Sequence, residues 1–220
     1  MDNITSVSTN GVTTRQMTMH QLLAEIKLTK AKLDNMTSKL FVSYKKHSDV
    51  VVDSVPVEKA EQIMMGNLDS VRHLISNLTE YETVRYKSNA NTSVEIAGKT
   101  MTVADAIKRK ENIKYEKDLL DELERQYKGV TRNISAENAK LEMNAKSKVD
   151  AIKTDSMSAE SLMEIMKADI EANTYEMIDP NNIVELIRSM KDDINSFETE
   201  VDAALSTSNA LTVVEVKTYD

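Results

Sequence analysis

The sequence predicts an all-α protein, an antiparallel coiled coil or helical bundle built from long helices. Helix breakers are rare, with two prolines and four glycines in 220 residues, and apolar residues recur at alternating spacings of three and four. Aromatic residues make up only 4% of the chain, so aliphatic side chains must form thin seams rather than a thick core. We therefore also expect oligomers, because another copy of the chain can complete a narrow seam.

The N-terminal part of the chain divides into an arm, a helix, a connector and a second helix. Residues 1–15 are rich in Ser, Thr and Asn and are predicted to form a disordered arm. Residues 43–56 are predicted to connect the two helices, with a short extended piece between Asp49 and Val55, and the second helix is predicted over residues 57–88. The first seam consists of Met19, Leu22, Ile26, Thr29, Leu33, Met36 and Leu40, and the second of Met64, Leu68, Val71, Ile75 and Leu78.

A small β-like turn segment is predicted near residues 93–101, because the pattern alternates there and Gly98 then turns the chain. Thr102 is the predicted N-cap of a third helix, with Asp105 three residues later. Gly129 is predicted to end that helix. Its seam contains two charged residues and reads Ala106, Arg109, Ile113, Glu116, Leu120, Leu123 and Tyr127.

The remaining chain is predicted to hold a helical insertion at about 130–174 and a last long helix. Within the insertion, one helix is expected after Ser135 and another near Ser158. Asp179 and Pro180 mark the start of the last helix, and the tail after Ser206 is predicted to pair as a strand. The last seam reads Ile183, Ile187, Met190, Ile194, Phe197, Val201 and Ala204. Residues 16–220 are thus predicted to form one helical-bundle domain.

Composition narrows the classes of function. The net charge of -8 disfavours nucleic-acid binding and docking on anionic membranes, which both need clustered Lys and Arg. The chain has no cysteine, and its three histidines (His20, His47 and His73) show no metal-ligand spacing. We therefore expect a cytoplasmic protein that is not an enzyme and uses no metal or cofactor.

One polar constellation surrounds the predicted turn and the start of the third helix. A helix start offers free N–H groups and a partial positive charge, which favour an anion. Arg109 lies on a seam position and needs a partner such as Glu116. Two interpretations stay open: a capped turn with a buried ion pair, or a site for a small anion. The residues of the candidate ligand site are Arg85, Asn89, Asn91, Thr92, Lys99, Thr100, Thr102, Lys108 and Arg109.

The same segment carries a resemblance to a known family. Asn89-Ala90-Asn91-Thr92, then Gly98-Lys99-Thr100-Met101-Thr102, then Lys108-Arg109 resembles the polar motif of the septicolysin-type family of small helical bacterial proteins. The resemblance covers roughly residues 17–130 and 175–216 and implies a shared helical layout. The chain departs from the family pattern in its insertion at about 130–174 and in an Asn within the first motif. The family name implies a pore-forming toxin, yet no stretch here is apolar enough to enter a bilayer.

Two functions follow as hypotheses. The first is a non-catalytic, homo-oligomeric binding protein, compatible with a bacteriophage source, that sequesters a small anionic, nucleotide-like host signalling ligand at the polar constellation. The second is a structural or assembly protein, such as a virion component or scaffold, with no small-molecule ligand. A membrane-active toxin is a third possibility, which liposome leakage would test.

Overall fold

A computed structural model describes residues 7–9, 12–48, 50–52, 55–154 and 157–219. The chain is mostly helical, as predicted, with small antiparallel sheets. It separates into two compact units: Met1–Lys110 with Phe197–Asp220 (unit 1), and Glu111–Ser196 (unit 2). The predicted insertion at about 130–174 is therefore only part of the second unit.

Five helices and seven strands follow one another along the described chain. The strands are β1 (Val7–Thr9), β2 (Val12–Thr18), β3 (Val51–Val52), β4 (Val55–Pro56), β5 (Ser93–Ile96), β6 (Lys99–Thr102) and β7 (Val213–Tyr219). The helices are α1 (Met19–Asp34), α2 (Val57–Asn91), α3 (Val103–Ile152), α4 (Ala159–Asn173) and α5 (Ile183–Leu211), with a short 3₁₀ helix at Asn35–Ser38.

Unit 1 contains a three-stranded antiparallel sheet in the order β1-β2-β7. Strand β2 pairs with β7 along its whole length, from Val12 opposite Tyr219 to Thr18 opposite Val213. The predicted tail strand is thus confirmed, whereas the predicted disordered arm is wrong for residues 7–9 and 12–15, which form β1 and part of β2. Those residues are rich in β-favouring Val and Thr, and the partner of β2, strand β7, lies at the other end of the chain. The rest of the arm at residues 1–6, 10 and 11 lies outside the described residues.

Helix α1 begins at a capping box, which orients its apolar face toward the sheet. The Gln21 N–H donates to the Thr18 hydroxyl, and the Gln21 side chain accepts from the Thr18 N–H. The first four predicted seam residues, Met19 to Thr29, are buried. The seam prediction fails at Met36 and Leu40, which are exposed, because the helix ends at Asp34.

The core of unit 1 is a cluster of six buried residues from the strands β2 and β7 and the helices α1 and α2. Helices α1 and α2 run antiparallel beside it, since Lys30 bonds Glu82 while Lys39 bonds Ser70. Burial of this kind contributes about 25 cal/mol per Å² of apolar area and stabilises the pairing. The cluster comprises Met17, Met19, Leu22, Ile26, Tyr81 and Val216.

Strands β5 and β6 form the predicted hairpin, closed by Ala97 and Gly98. Both turn residues have positive φ, 53° and 70°, as in the type I′ turns that match the twist of two-residue hairpins. The Ala97 N–H donates to a carboxylate oxygen of Glu200 at 2.6 Å. The hairpin is therefore fastened to α5 within unit 1.

Helix α3 is continuous from Val103 to Ile152, so the predicted end at Gly129 is wrong. A Cβ at Gly129 would meet nothing within 4 Å, and a single glycine inside a long helix costs only about 1 kcal/mol relative to alanine. The predicted helix after Ser135 is the C-terminal part of α3. The helix predicted near Ser158 is confirmed as α4, with the Ser158 hydroxyl accepting from Ser161 N–H at 3.1 Å.

Unit 2 packs α3 antiparallel to the chain that returns through α4 and α5. Lys148 bonds Asp169, the Asn138 side chain bonds the Tyr175 backbone, and Lys191 bonds Glu124. Along these three contacts the residue numbers fall on α3, from 148 to 124, while they rise on the returning chain, from 169 to 191. All seven predicted seam positions of α3, and all seven of α5, are buried or half-buried. The predicted seams therefore identify the covered faces of α3 and α5.

Candidate functional site

The nine predicted site residues lie between the end of α2 and the first turns of α3, within unit 1. Arg85, Asn89 and Asn91 are on the last turns of α2, and Thr92 follows it. Lys99, Thr100 and Thr102 form most of β6, and Lys108 and Arg109 lie on the first turns of α3. The local contacts of these side chains decide which of them could meet a common ligand.

Arg85 already has a partner on its own helix. Its guanidinium lies 2.5 Å from the Glu82 carboxylate and 4.7 Å from the centre of the Tyr86 ring. Glu82 also accepts from Lys30 of α1 at 2.7 Å. Arg85 and Glu82 are partly buried and Lys30 is exposed, and together the three charges bridge α1 to α2, so Arg85 helps to hold this helix pair together.

Asn91 and Thr92 terminate α2. The Asn91 side chain donates to the Lys87 carbonyl at 2.8 Å, and the Thr92 N–H donates to the Ser88 carbonyl at 2.9 Å. The Thr92 carbonyl in turn accepts from the Val103 N–H at 2.9 Å. These bonds satisfy groups that a helix end leaves without partners and bring the end of α2 to the start of α3.

The residues of β6 divide between two faces of the hairpin. Thr100 lies opposite Glu95, and Lys99 lies opposite Ile96. Since successive strand residues point to opposite faces, Lys99 and Thr100 point away from each other. The predicted site residues of this strand therefore do not converge on one point.

Thr102 is the N-cap of α3, as predicted. Its hydroxyl accepts from the Asp105 N–H at 3.0 Å and donates to the Asp105 carboxylate at 2.7 Å. The carboxylate of Asp105 thus lies at the helix start, where the helix dipole favours a negative charge. Intramolecular charge already fills the position predicted for an anionic ligand.

Arg109 points inward, as predicted, and stacks on an aromatic ring. Its guanidinium lies 4.3 Å from the centre of the buried Phe197 ring. Such a contact contributes about 0.5–2 kcal/mol, depending on how far it is desolvated. Local sequence around Arg109 does not predict Phe197 as its partner, because Phe197 lies on α5, far along the chain. Its heptad position on the α5 seam was the available signal.

A groove that was not predicted from the sequence borders the hairpin of β5 and β6. It has a volume of about 600 Å³ and lies between the start of β5 and the last turns of α5. Its floor includes Ala203, Ala204 and Leu211, while Glu95 and Glu200 add two carboxylates to an otherwise hydroxyl-rich rim. Among the described residues, Thr92 is the predicted site residue that lines it.

The titratable groups with shifted pKa values are on exposed surface of unit 2. The pKa of Glu122 is lowered to about 2 by hydrogen bonds from Arg125 and Gln126. Hydrogen bonds from Lys128 and Lys191 also lower the pKa of Glu124. These are ion pairs along and between helices, which stabilise charge but position no reactive group.

The histidines of this chain are dispersed over different elements. His20 and His47 are exposed, and His73 is half-buried on α2. Within the same described ranges, no three His, Asp or Glu side chains are grouped so that they could hold a metal ion. No described helix is long and apolar enough to cross a membrane.

Searches of family models, curated proteins and solved structures return no match to this chain. The resemblance to the septicolysin-type family therefore stays a prediction from the polar motif, and function must be argued from the geometry alone.

Proposed function

We propose that this chain is a non-catalytic helical protein that acts by assembling with further copies of itself. The observation that carries the proposal is that described helices of both units leave large apolar side chains exposed, among them Leu68, Ile75 and Tyr86 on α2 and Tyr115 and Leu119 on α3. Exposed apolar residues that lie together on one face are typical of interfaces.

These exposed apolar residues form stripes on helices of both units. On α2, Leu68, Ile75 and Tyr86 are 41%, 51% and 65% exposed. Their spacings of seven and eleven place them on one face of the helix. This stripe has the form of a helix seam whose second half is supplied by another chain, as in a coiled coil.

A similar stripe occurs on α3 in unit 2. Tyr115, Leu119 and Val130 are 61%, 51% and 43% exposed, and their spacings of four and eleven again select one face. Covering both stripes would remove several large side chains from water, each worth about 1.5–3 kcal/mol when fully buried. This gain supports a homo-oligomer.

The test is the concentration dependence of thermal unfolding. Mass action stabilises a self-associating protein as its concentration rises, so we expect the midpoint to increase between 1 and about 100 µM chain. The double variant Leu68→Glu/Ile75→Glu should lose this dependence and keep its helical circular dichroism. A wild-type midpoint that is constant over the range would refute the proposal. If the midpoint does increase with concentration, proteomics of purified particles would show whether the assembly is a virion component.

We propose a second function, binding of a small anionic, nucleotide-like signalling ligand, which would make the assembly a sequestering protein. Its support is that Lys108 and Arg109 lie next to each other on the first turns of α3, directly after β6. Calorimetry with cyclic nucleotides and ADP-ribose compounds should give heat that Arg109→Ala abolishes. Lys114→Ala is the matched control, because Lys114 also stacks on an aromatic ring. No heat with any compound would exclude the ligand.

A further inference from the structure

The connector between α1 and α2 is an exposed apolar segment with positive charge. Phe41, Val42 and Tyr44 of this segment (residues 40–46, hereafter the connector segment) are 40%, 80% and 93% exposed. Lys45 and Lys46, which follow, are also exposed. An exposed apolar run of this kind is unfavourable in an isolated chain and is typical of an interface with another chain.

The groove beside the hairpin has the complementary chemistry. Its lining of Ala203, Ala204 and Leu211 is apolar, and Glu95 and Glu200 carry negative charge at its rim. Its volume of about 600 Å³ can hold more than one large side chain of a peptide segment. An apolar strand of chain that ends in lysines matches both the floor and the rim.

The connector segment cannot reach the groove of its own chain. The Leu40 carbonyl accepts from the Asn67 side chain at 2.8 Å, which ties the segment to the N-terminal half of α2. The groove begins at Thr92, about 25 residues and so about 37 Å further along that helix. Residues 40–46 span at most about 24 Å when fully extended. Any connector segment that fills the groove must come from another copy.

We propose that the connector segment of one chain docks in the hairpin groove of a second copy. The two surfaces differ and lie at opposite ends of α2, so the contact is head-to-tail and generates a ring or a filament. Val42 and Tyr44 lie over Ala203 and Leu211, and Lys45 and Lys46 approach Glu95 and Glu200. The inference rests on the proposed self-association and adds a second contact between copies to the stripes on α2 and α3.

Two single variants test the pairing. Tyr44→Asp places a charge in the connector segment, and Ala203→Lys, at an exposed position, fills the groove floor with a bulky cation. Each should weaken self-association at least about tenfold, as expected at the centre of an interface. Tyr175→Asp and Ala139→Lys make the same changes at exposed positions of unit 2 and should behave as wild type.

Mixing the two variants gives the decisive result. The intact groove of Tyr44→Asp can accept the intact connector segment of Ala203→Lys. A fluorescently labelled Tyr44→Asp chain should therefore bind Ala203→Lys chains at least about tenfold more tightly than it binds its own kind. That recovery also shows that both variants are folded. Equal binding to both would overturn the docking.

A charge exchange provides a second readout. Glu95→Lys and Lys45→Glu should each weaken association about threefold, and the double variant should recover it, since rim ion pairs are worth up to about 1 kcal/mol. No recovery in the double variant would contradict the proposed orientation. A wild-type chain that is monomeric throughout would instead refute self-association itself. Wild-type assembly that both single variants retain would refute only the connector-to-groove contact.

Discussion

At the scale of single residues, Asn77 closes the edge of the β1-β2-β7 sheet. Its side-chain amide donates to the Tyr219 carbonyl at 3.0 Å and accepts from the Tyr219 N–H at 2.6 Å. The side chain is only 8% exposed. The amide thereby takes the place of a neighbouring strand residue and satisfies the edge of β7 that would otherwise be open to pairing.

We expect Asn77→Ala to lower the free energy of unfolding by about 2–3 kcal/mol, because it leaves two partly buried backbone groups of Tyr219 without partners. Urea denaturation followed by circular dichroism measures the change. Asn91→Ala is the matched control, since that exposed amide bonds only to the Lys87 carbonyl of its own helix, and it should cost less than about 0.5 kcal/mol. Equal losses in the two variants would contradict the edge-closing role.

Several residue contacts could be predicted from local sequence, and others could not. The cap at Thr102 was predictable because its hydroxyl and the Asp105 N–H that donates to it lie within one turn. Arg109 on Phe197 joins residues that lie on α3 and α5. Such pairs depend on how distant helices pack, which neither spacing nor propensity encodes.

At the scale of elements, the continuity of α3 distinguishes the structure from the sequence prediction. Glycine after a periodic helix is a common end signal, so local pattern placed the end at Gly129. The antiparallel partners of α3 continue past that point, through Asn138 with Tyr175 and Lys148 with Asp169. Tertiary packing therefore overrides the local signal.

Gly129→Ala should raise the free energy of unfolding by about 1 kcal/mol, because alanine favours the helix interior and its Cβ has open space. If α3 ended at Gly129 instead, the same change would destabilise. Gly98→Ala is the opposite control: the hairpin turn has a φ of 70° there, so the variant should lose stability. Thermal melts of the three proteins distinguish the alternatives.

Acid should weaken the middle of α3. The folded-state pKa of Glu122 is about 2, below its ordinary 4.5, so the ionised carboxylate stabilises the fold above about pH 4.5. That stabilisation is lost as the pH falls from about 4.5 toward 2. Carboxyl NMR titration should show Arg125→Gln raising the pKa of Glu122, since Arg125 is the main cause of the shift. Lys128→Gln should leave Glu122 nearly unchanged and raise the pKa of Glu124, because Lys128 bonds Glu124.

At the scale of the whole molecule, the helical class and the paired helices were predictable, whereas the pairing of the chain ends was not. Heptad spacing identified the faces of α3 and α5 because it needs only local periodicity. The strands β2 and β7 pair across nearly the entire chain, and short Thr- and Val-rich segments give no signal of their partner. The polar constellation was predicted as one segment, but in the fold Thr102 caps a helix, Arg85 pairs with a carboxylate and Arg109 stacks on an aromatic ring.

Self-association is the claim on which the proposals depend, and sedimentation equilibrium tests it most directly. The exposed stripes and the connector segment predict a species that contains two or more chains of 24.7 kDa at concentrations of about 1–100 µM. A single species of 24.7 kDa across that range would contradict the account.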